Sequence, residues 1–505
     1  MNSSTTRRGF LKATLSSGAL LGLGDLAFLS HLPSISAAEA SLAPDIVRFD
    51  PEIEPWVRFL EDTPRERLLE EVADKIKRGL TYREVLAALL LAGVRNIQPR
   101  PVGFKFHAVL VVNSAHVASL ASPDSDRWLP IFWALDHFKG SQAQDVREGD
   151  WTMPAVEESK VPPPHKAKQA FIEAMENWDE SAADAAVVGL ARSVGAQEVF
   201  ELFCRYGARD FREIGHKAIY VANSWRTLQA IGWHHAEPVL RSLAYALLDR
   251  MSDPNPAKND LPADRPGRRN LELRTKFRPD WLAGKVAAHA TEEMLRTLRQ
   301  GSSVDTSEKV VEVLGRGTSP QSIWDALFDG AGEMLMREPG IRSLHAVTCS
   351  NALHFEWQHC NTDETRKYLL LQCAAFLPLF RGGREDKGVR IDQLEPASLK
   401  SGGTRAVAEI FADLSTDRML AARKVLAYLK DNPQPKELTD AARVLIFLKG
   451  RDAHDYKFSS AVLEDYQHIS PAWRNQYLAA SVFNLRGSGS ADSELVKRTR
   501  AALQA

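Results

Sequence analysis

The chain has 505 residues, of which 44% are hydrophobic and 26% are charged, and its formal net charge is −1. This composition is typical of a globular protein with one large core or about three domains. A net charge near zero does not indicate a nucleic-acid-binding protein, so no nucleic-acid partner is expected. After the N-terminus no stretch approaches the roughly 20 apolar residues of a membrane-spanning helix, and no stable membrane span is expected.

The N-terminal segment carries a targeting pattern. Residues 5–12 read TTRRGFLK and are followed by a weakly apolar stretch over residues 13–29 and small-residue cleavage candidates over residues 38–40. The segment resembles a twin-arginine (Tat) signal. This resemblance implies recognition by the Tat translocation machinery and export of a folded chain, often with its cofactor, to the periplasm or the extracellular space. We therefore predict a cleaved signal peptide over residues 1–40.

Helical spacing recurs along the rest of the chain while strand-like alternation is scarce, so the sequence predicts an all-α protein. Thr81 and Glu84 form a capping-box pattern ahead of an apolar run over residues 85–94, which predicts a buried helix. No CxxCH motif is present, which argues against covalent haem of the c type. The sequence also lacks a P-loop, a G-x-S-x-G elbow, an H-E-x-x-H motif and a dinucleotide-binding fingerprint.

One phrase recurs along the chain. HAVLVVNSAH, residues 107–116, returns 238 positions later as HAVTCSNALH, and a looser version, AIYVANSW, occupies residues 218–225. Helical repeats of this kind stack on one another and so bury apolar surface that a single unit would leave exposed. We therefore predict a helical-repeat bundle over residues 41–403 with three related multi-helix units near 78–140, 192–250 and 316–381. A helical extension over residues 404–505 follows, and no chemistry is predicted there.

The histidines and asparagines of these phrases are the candidate site residues. Positions nine apart on an α-helix lie about half a turn from each other, so the two histidines of one phrase cannot face one centre. An asparagine and a histidine three apart can share a face. One site would then take one histidine per unit, and His107 is predicted to be a packing or capping residue. The predicted catalytic residues are His116, His354 and His216, and the predicted substrate-orienting residues are Asn113, Asn223 and Asn351.

Imidazole is a frequent metal ligand, and two Glu-x-x-His pairs, at residues 213–216 and 356–359, have the spacing found in di-iron carboxylate bundles. The candidate cofactor is iron or another transition metal. Another interpretation of the same residues is structural, because buried asparagines and histidines also satisfy backbone groups where repeats meet. The candidate metal ligands are His116, His354, His216, His234, Glu213, Glu356 and His359.

The phrase LHAV at residues 344–347 and the segment FLPLF at residues 376–380 resemble the questin oxidase-like helical proteins over about residues 80–380. The resemblance implies an oxygen-using enzyme for polycyclic phenols, and it carries no catalytic residue over. An exported chain departs from such enzymes, because NADPH is not expected outside the cytoplasm. The sequence predicts an exported oxidoreductase, metal-dependent, acting on a small organic substrate in a His/Asn-lined pocket. The alternative is a non-catalytic repeat scaffold or binding protein of the cell envelope.

Overall fold

The computed structural model describes residues 46–248, 254–383 and 388–504. These ranges contain 23 α-helices, and the only strand-like pairings in them are two isolated bridges. The predicted all-α fold is therefore confirmed. The predicted signal peptide, residues 1–40, lies outside the described residues, and the division into three repeat units stays a prediction.

The first half of the described chain holds eleven α-helices: α1 (Glu54–Asp62), α2 (Arg65–Lys77), α3 (Tyr82–Asn96), α4 (His107–Leu110), α5 (Val112–Leu120), α6 (Leu129–Glu148), α7 (Pro164–Asn177), α8 (Glu180–Ser193), α9 (Ala196–Gly207), α10 (His216–Ile231) and α11 (Ala236–Leu247). The second half holds twelve: α12 (Arg265–Leu273), α13 (Ala288–Gln300), α14 (Ser303–Gly315), α15 (Pro320–Arg337), α16 (Ile341–His359), α17 (Asp363–Arg381), α18 (Gly403–Asp413), α19 (Arg418–Asp431), α20 (Lys436–Lys449), α21 (Ala453–His468), α22 (Arg474–Ser481) and α23 (Glu494–Gln504).

Local sequence sets the start of several helices. The Thr81 hydroxyl accepts a hydrogen bond from the Glu84 backbone N–H, and the Glu84 carboxylate accepts one from the Thr81 N–H, so the predicted capping box opens α3. The Ser319 hydroxyl caps α15, in which Pro320 takes the first position. As the sequence predicted, the apolar body of α3 is buried on nearly all sides.

Four helical segments pack in a ring at the centre of the fold. Helix α10 packs on α16, α16 packs on α21, α21 packs on α5, and α5 packs on α10. Three of these segments carry the recurrent phrases, whereas α21 belongs to the C-terminal region in which no chemistry was predicted. The ring places side chains from four distant parts of the sequence around one axis.

The structure was also searched for membrane-spanning segments. Over the described ranges, no helix has both the length and the apolar character that crossing a membrane requires.

Candidate metal centre

Four histidines meet at one end of the central ring of helices, and we call them the central cluster: His107, His216, His345 and His454. Each can place one ring nitrogen within 4.8 Å of the corresponding nitrogens of the other three. The imidazoles contact one another in a closed order, with ring centroids 5.0, 4.4, 5.2 and 4.5 Å apart going from the first around to the last and back. Imidazole nitrogens in such a group are the usual ligands of transition-metal ions.

Hydrogen bonds fix the tautomer of three of these rings. The Nδ1 atoms of His107, His216 and His345 lie 2.8, 2.8 and 2.6 Å from backbone carbonyl oxygens. A carbonyl oxygen can only accept, so each Nδ1 carries the proton and each Nε2 of the neutral ring carries a lone pair. Yet the Nε2 of His216 lies 3.0 Å from that of His107 and 2.9 Å from that of His345. The lone pairs of three rings therefore converge with no proton between them.

The fourth ring follows the same pattern. Nδ1 of His454 lies 3.3 Å from the Oδ1 atom of Asp452, and its Nε2 is buried without a hydrogen-bond partner. A carboxylate behind the distal nitrogen of a histidine orients the ring and makes it a better ligand. The Nε2 of His454 is thus free of hydrogen bonds, and His454 completes the group of four histidines with ring nitrogens within 4.8 Å of one another.

Burial keeps three rings of the cluster neutral. The pKa values of His107, His216 and His345 lie well below the ordinary value, and burial is the largest cause for each of them. Because metal ligation requires the unprotonated Nε2, a lowered pKa leaves these atoms free to bind at neutral pH.

The spacing of the nitrogens bears on the geometry of a bound ion. Metal–nitrogen bonds of about 2.1 Å would set neighbouring nitrogens about 3.0 Å apart at right angles and about 3.4 Å apart in a tetrahedron. The observed separations from His216 are 3.0 and 2.9 Å. A square or octahedral arrangement therefore fits the cluster better than a tetrahedral one, which favours iron, copper or nickel over zinc.

The backbone before two of these histidines is adapted to the site. Gly215 has φ +82°, and a Cβ on it would lie 2.5 Å from Sγ of Cys349, so a larger residue would push α10 away from α16. Phe104 has φ 46°, an uncommon value for a residue with a side chain, and its carbonyl accepts the hydrogen bond from His107. Such conformations cluster at functional sites, where the surrounding structure maintains them.

A small cavity, the inner chamber, lies next to the cluster. Its lining includes Ile219, Thr348 and Lys457, each three residues after a histidine of the cluster and so on the same helix face about 4.5 Å further along. Residues six or seven positions after the histidines, Asn113 and Asn351 among them, form the next layer. Because the layers follow the same order on every helix, the four segments run in one direction.

The predicted asparagines Asn113, Asn223 and Asn351 all line this inner chamber. Two of them accept hydrogen bonds from the Arg226 guanidinium, at 3.3 and 3.2 Å. The amide of Asn223 also donates to the Leu110 carbonyl, so it ties α10 to α4. These bonds orient the amides, and they also cross-link neighbouring helices as the structural interpretation expected.

Lys457 is the charged side chain of the chamber that has no partner. It is 2% exposed, and its Nζ is buried without a hydrogen bond. Burial lowers the pKa of its amine to about 7. An amine in this state can accept or donate a proton near neutral pH.

A larger cavity, the outer cleft, adjoins the inner chamber. The two share Val117, Ser460 and Glu464 as a common wall, and Ile446 and Leu463 line the outer cleft. The volumes are about 230 Å³ for the outer cleft and about 20 Å³ for the inner chamber. A single water needs roughly 10–15 Å³, whereas drug-sized ligands occupy about 300–1,000 Å³. The chamber therefore suits a molecule of a few atoms and the cleft a small organic molecule.

Of the three histidines predicted to be catalytic, only His216 lies in the central cluster. His116 is half-buried, with Nδ1 2.9 Å from the Tyr82 hydroxyl, and His354 is buried against Trp324 and Phe328. The predicted combination of these three histidines in one centre is therefore not formed. In each full phrase the second histidine lies apart from the first, as predicted from helix geometry. The first histidine, His107 or His345, is the one that joins the cluster.

Other predicted ligands also lie apart from the cluster. His234 forms a second group with His235 and Asp50 at the surface. The backbone carbonyl of Glu213 accepts a hydrogen bond from the His216 ring. Glu356 is fully buried, its carboxylate oxygens have no hydrogen-bond partner, and burial raises its pKa well above the ordinary value.

His359, the last predicted ligand, is exposed, and its Nδ1 hydrogen-bonds the Phe355 carbonyl at 2.8 Å. The paired Glu-x-x-His motifs therefore do not assemble a di-iron site among the described residues.

His454 and Lys457 were not among the predicted site residues, and His107, predicted to be a packing or capping residue, is a member of the cluster. One signal was present. His454 follows His345 by the same 109 positions that separate His216 from His107. A fourth phrase at that interval, HDYKFSSAV, could have been sought in the C-terminal region.

Comparisons with protein-family models, with curated proteins and with solved structures find no match for this chain. The arrangement of residues described above is therefore the basis for a functional proposal.

Proposed function

We propose that the chain is a metal-dependent oxidoreductase whose central cluster binds one transition-metal ion and which acts on a small organic molecule. The convergence of the Nε2 lone pairs carries this proposal. Lone pairs about 3 Å apart in a buried site repel each other unless a cation lies between them, and burial disfavours protonation of the rings. A bound metal ion removes that repulsion.

The redox part of the proposal is supported by the ligand set. Four imidazoles suit iron, copper or nickel, and the right-angle spacing of the nitrogens leaves positions on the ion for a further ligand. Such an ion would supply electron transfer at an open coordination position. The twin-arginine signal and the likeness to questin oxidase-like proteins are compatible with a redox cofactor, and both stay predictions, as does export.

The part of the proposal that concerns a substrate is supported by the two cavities. The outer cleft has the volume for a small organic molecule, and its wall at Val117, Ser460 and Glu464 also bounds the inner chamber. A molecule in the cleft would therefore lie one wall away from the chamber. In this proposal the chamber holds the small reactant and the amides of Asn113, Asn223 and Asn351 orient it.

The proposal is tested first by metal content. The full-length chain, purified without chelators, is expected to hold about one iron, copper or nickel ion per chain, and His216→Ala is expected to hold none at this site. The double variant His234→Ala/His235→Ala is the matched control, because it removes two histidines from the surface group. A wild-type chain that binds no transition metal stoichiometrically would overturn the proposal.

Redox titration tests the second part. The bound ion is expected to change oxidation state reversibly, followed by its optical or paramagnetic resonance spectrum. The non-catalytic scaffold is favoured by a different observation, the cross-linking of helices through Asn223 and Asn351. A stoichiometric ion that is redox-inert and unaffected by small ligands would support that scaffold, with a structural metal.

A further inference from the structure

The inner chamber is lined by Lys457, whose amine has no hydrogen-bond partner. Nζ of Lys457 is buried, lines the chamber and makes no hydrogen bond. A buried polar group without a hydrogen-bond partner destabilises the fold, and a charged one more so, so such groups are rare unless a ligand or water completes them. The chamber has room for a molecule of that kind beside the amine.

The position of Lys457 relates that molecule to the metal centre. Lys457 lies three residues after His454 on α21, so the two side chains share one helix face. It also faces the cluster electrostatically, since its charge contributes to the lowered pKa values of His107, His216 and His345. The chamber lining begins about 4.5 Å along the helices from the histidines, which do not line it themselves. One metal–ligand bond of about 2 Å and a ligand of two or three atoms span that distance, so a ligand held by the amine can reach the ion.

The charge balance identifies the kind of ligand. Four neutral imidazoles leave the positive charge of a metal ion uncompensated in a buried site. Glu464 is the one acid in the described lining of the chamber, and its carboxylate is already bound to Arg226 and to the amide of Asn351. Asp452 places a carboxylate beside Nδ1 of His454, but that side chain is 57% exposed and does not line the chamber. The chamber lining therefore offers no unpaired negative charge, and an anionic ligand complements the ion and the amine.

We propose that the inner chamber binds a small inorganic anion of one to three atoms between the metal ion of the central cluster and the amine of Lys457. This proposal rests on the proposed metal centre. The chamber volume of about 20 Å³ excludes carboxylates larger than formate, which leaves ligands such as hydroxide, reduced dioxygen species or azide.

Azide titration of the full chain loaded with Cu²⁺ tests the proposal, because copper-bound azide gives a charge-transfer absorption band. Lys457→Met is expected to bind azide roughly 10- to 100-fold more weakly than wild type, the usual effect of losing one hydrogen bond to a charged group. Tyr466→Phe is the control. It removes a buried hydroxyl from the same helix, bonded to Asn475 and outside the chamber, and is expected to leave azide affinity unchanged.

Copper content is measured in every sample, which separates the two proposals. Lys457→Met with one copper per chain and wild-type azide affinity would overturn the anion site and leave the metal centre intact. A wild-type chain that binds no copper at the cluster would overturn both. If Lys457→Met does not fold, the crystal structure of the wild-type copper and azide complex decides. An azide nitrogen within about 3.2 Å of Nζ is expected, and azide bound elsewhere contradicts the proposal.

Discussion

Two groups of side chains in this protein meet the same distance criterion for a metal site, yet they differ in construction. The central cluster draws four buried or half-buried histidines from four helices, and hydrogen bonds fix three of the rings. The surface group, Asp50 with His234 and His235, comes largely from one 3₁₀ turn. The Asp50 side chain is 55% exposed and lies 4.0 Å from the nearer ring.

Closely spaced ligand atoms alone therefore do not make a binding site. In the central cluster the fold has already ordered the ligands, so a metal ion does not have to restrict them. In the surface group two of the three side chains, Asp50 and His234, are exposed, so the ion would have to order them and compete with water. We therefore expect tight binding at the first group and weak binding at the second.

The largest effect is expected from removing one ligand of the central cluster. His216 contacts both neighbouring rings, so His216→Ala is expected to abolish stoichiometric metal binding, measured by elemental analysis after gel filtration. His234→Ala is expected to leave the metal content unchanged. Equal losses from both variants would show that the two groups bind metal alike and would contradict the comparison.

Metal removal is expected to lower stability substantially. An ion present at about 1,000 times its dissociation constant stabilises the folded chain by about 4 kcal/mol. Chelation of wild type should therefore lower the thermal midpoint, measured by calorimetry, whereas chelation of His216→Ala should not. A midpoint of wild type that does not respond to chelator would place the ion outside the folded core.

Acid is expected to destabilise the metal-free chain. Burial lowers the pKa values of His107, His216 and His345 in the folded state, so between those values and about 6.5 the unfolded chain binds more protons. Stability should be full above pH 6.5 and fall as pH decreases, by on the order of 1.4 kcal/mol per pKa unit for each histidine. Urea denaturation of the chelated chain at pH 7.5, 6 and 5 measures this slope, and His216→Leu should make it shallower.

A smaller effect on metal affinity is expected from replacing Asp452, which lies beside His454 of the cluster. Asp452→Asn removes the carboxylate beside Nδ1 of His454 but keeps a residue that can cap α21, and it should weaken metal affinity roughly 10- to 100-fold. Asp417→Asn is the matched control, since Asp417 caps α19 and lies beside no histidine of the cluster. Competition titration with a chelating indicator gives both affinities. Equal affinities in the two variants would remove Asp452 from the site.

The smallest effect on metal content is expected from replacing the second histidine of a recurrent phrase. His354 packs among aromatic rings outside the cluster, so His354→Gln should retain one metal ion per chain and lose only packing stability. His345→Gln, the partner change in the same helix, should lose the ion. Retention by both variants would show that α16 does not supply a ligand.

Part of the candidate site could be predicted because it depends on residues that are close together in the sequence. The recurrent phrases marked α10 and α16 as site-bearing helices, and the asparagine of each phrase lines the inner chamber. Helical periodicity predicted that the two histidines of a phrase do not face one centre, and on α16 the structure places His345 in the cluster and His354 outside it. It could not state which side faces the axis, because both faces of an apolar helix are buried and the pattern is then symmetrical.

The sequence alone predicts the helical class, the capped helix starts and the residues that recur at fixed intervals. Each of these depends on the spacing of residues within one segment. His454 and Lys457 join the recurrent residues through tertiary packing, because α21 contacts helices that are distant along the chain. The bond from Arg226 to Glu464, for example, joins residues 238 positions apart. Contacts of that range depend on which faces are buried together. The sequence of a single helix does not specify which helices pack against it, so the histidine cluster became visible only in the packing of four helices.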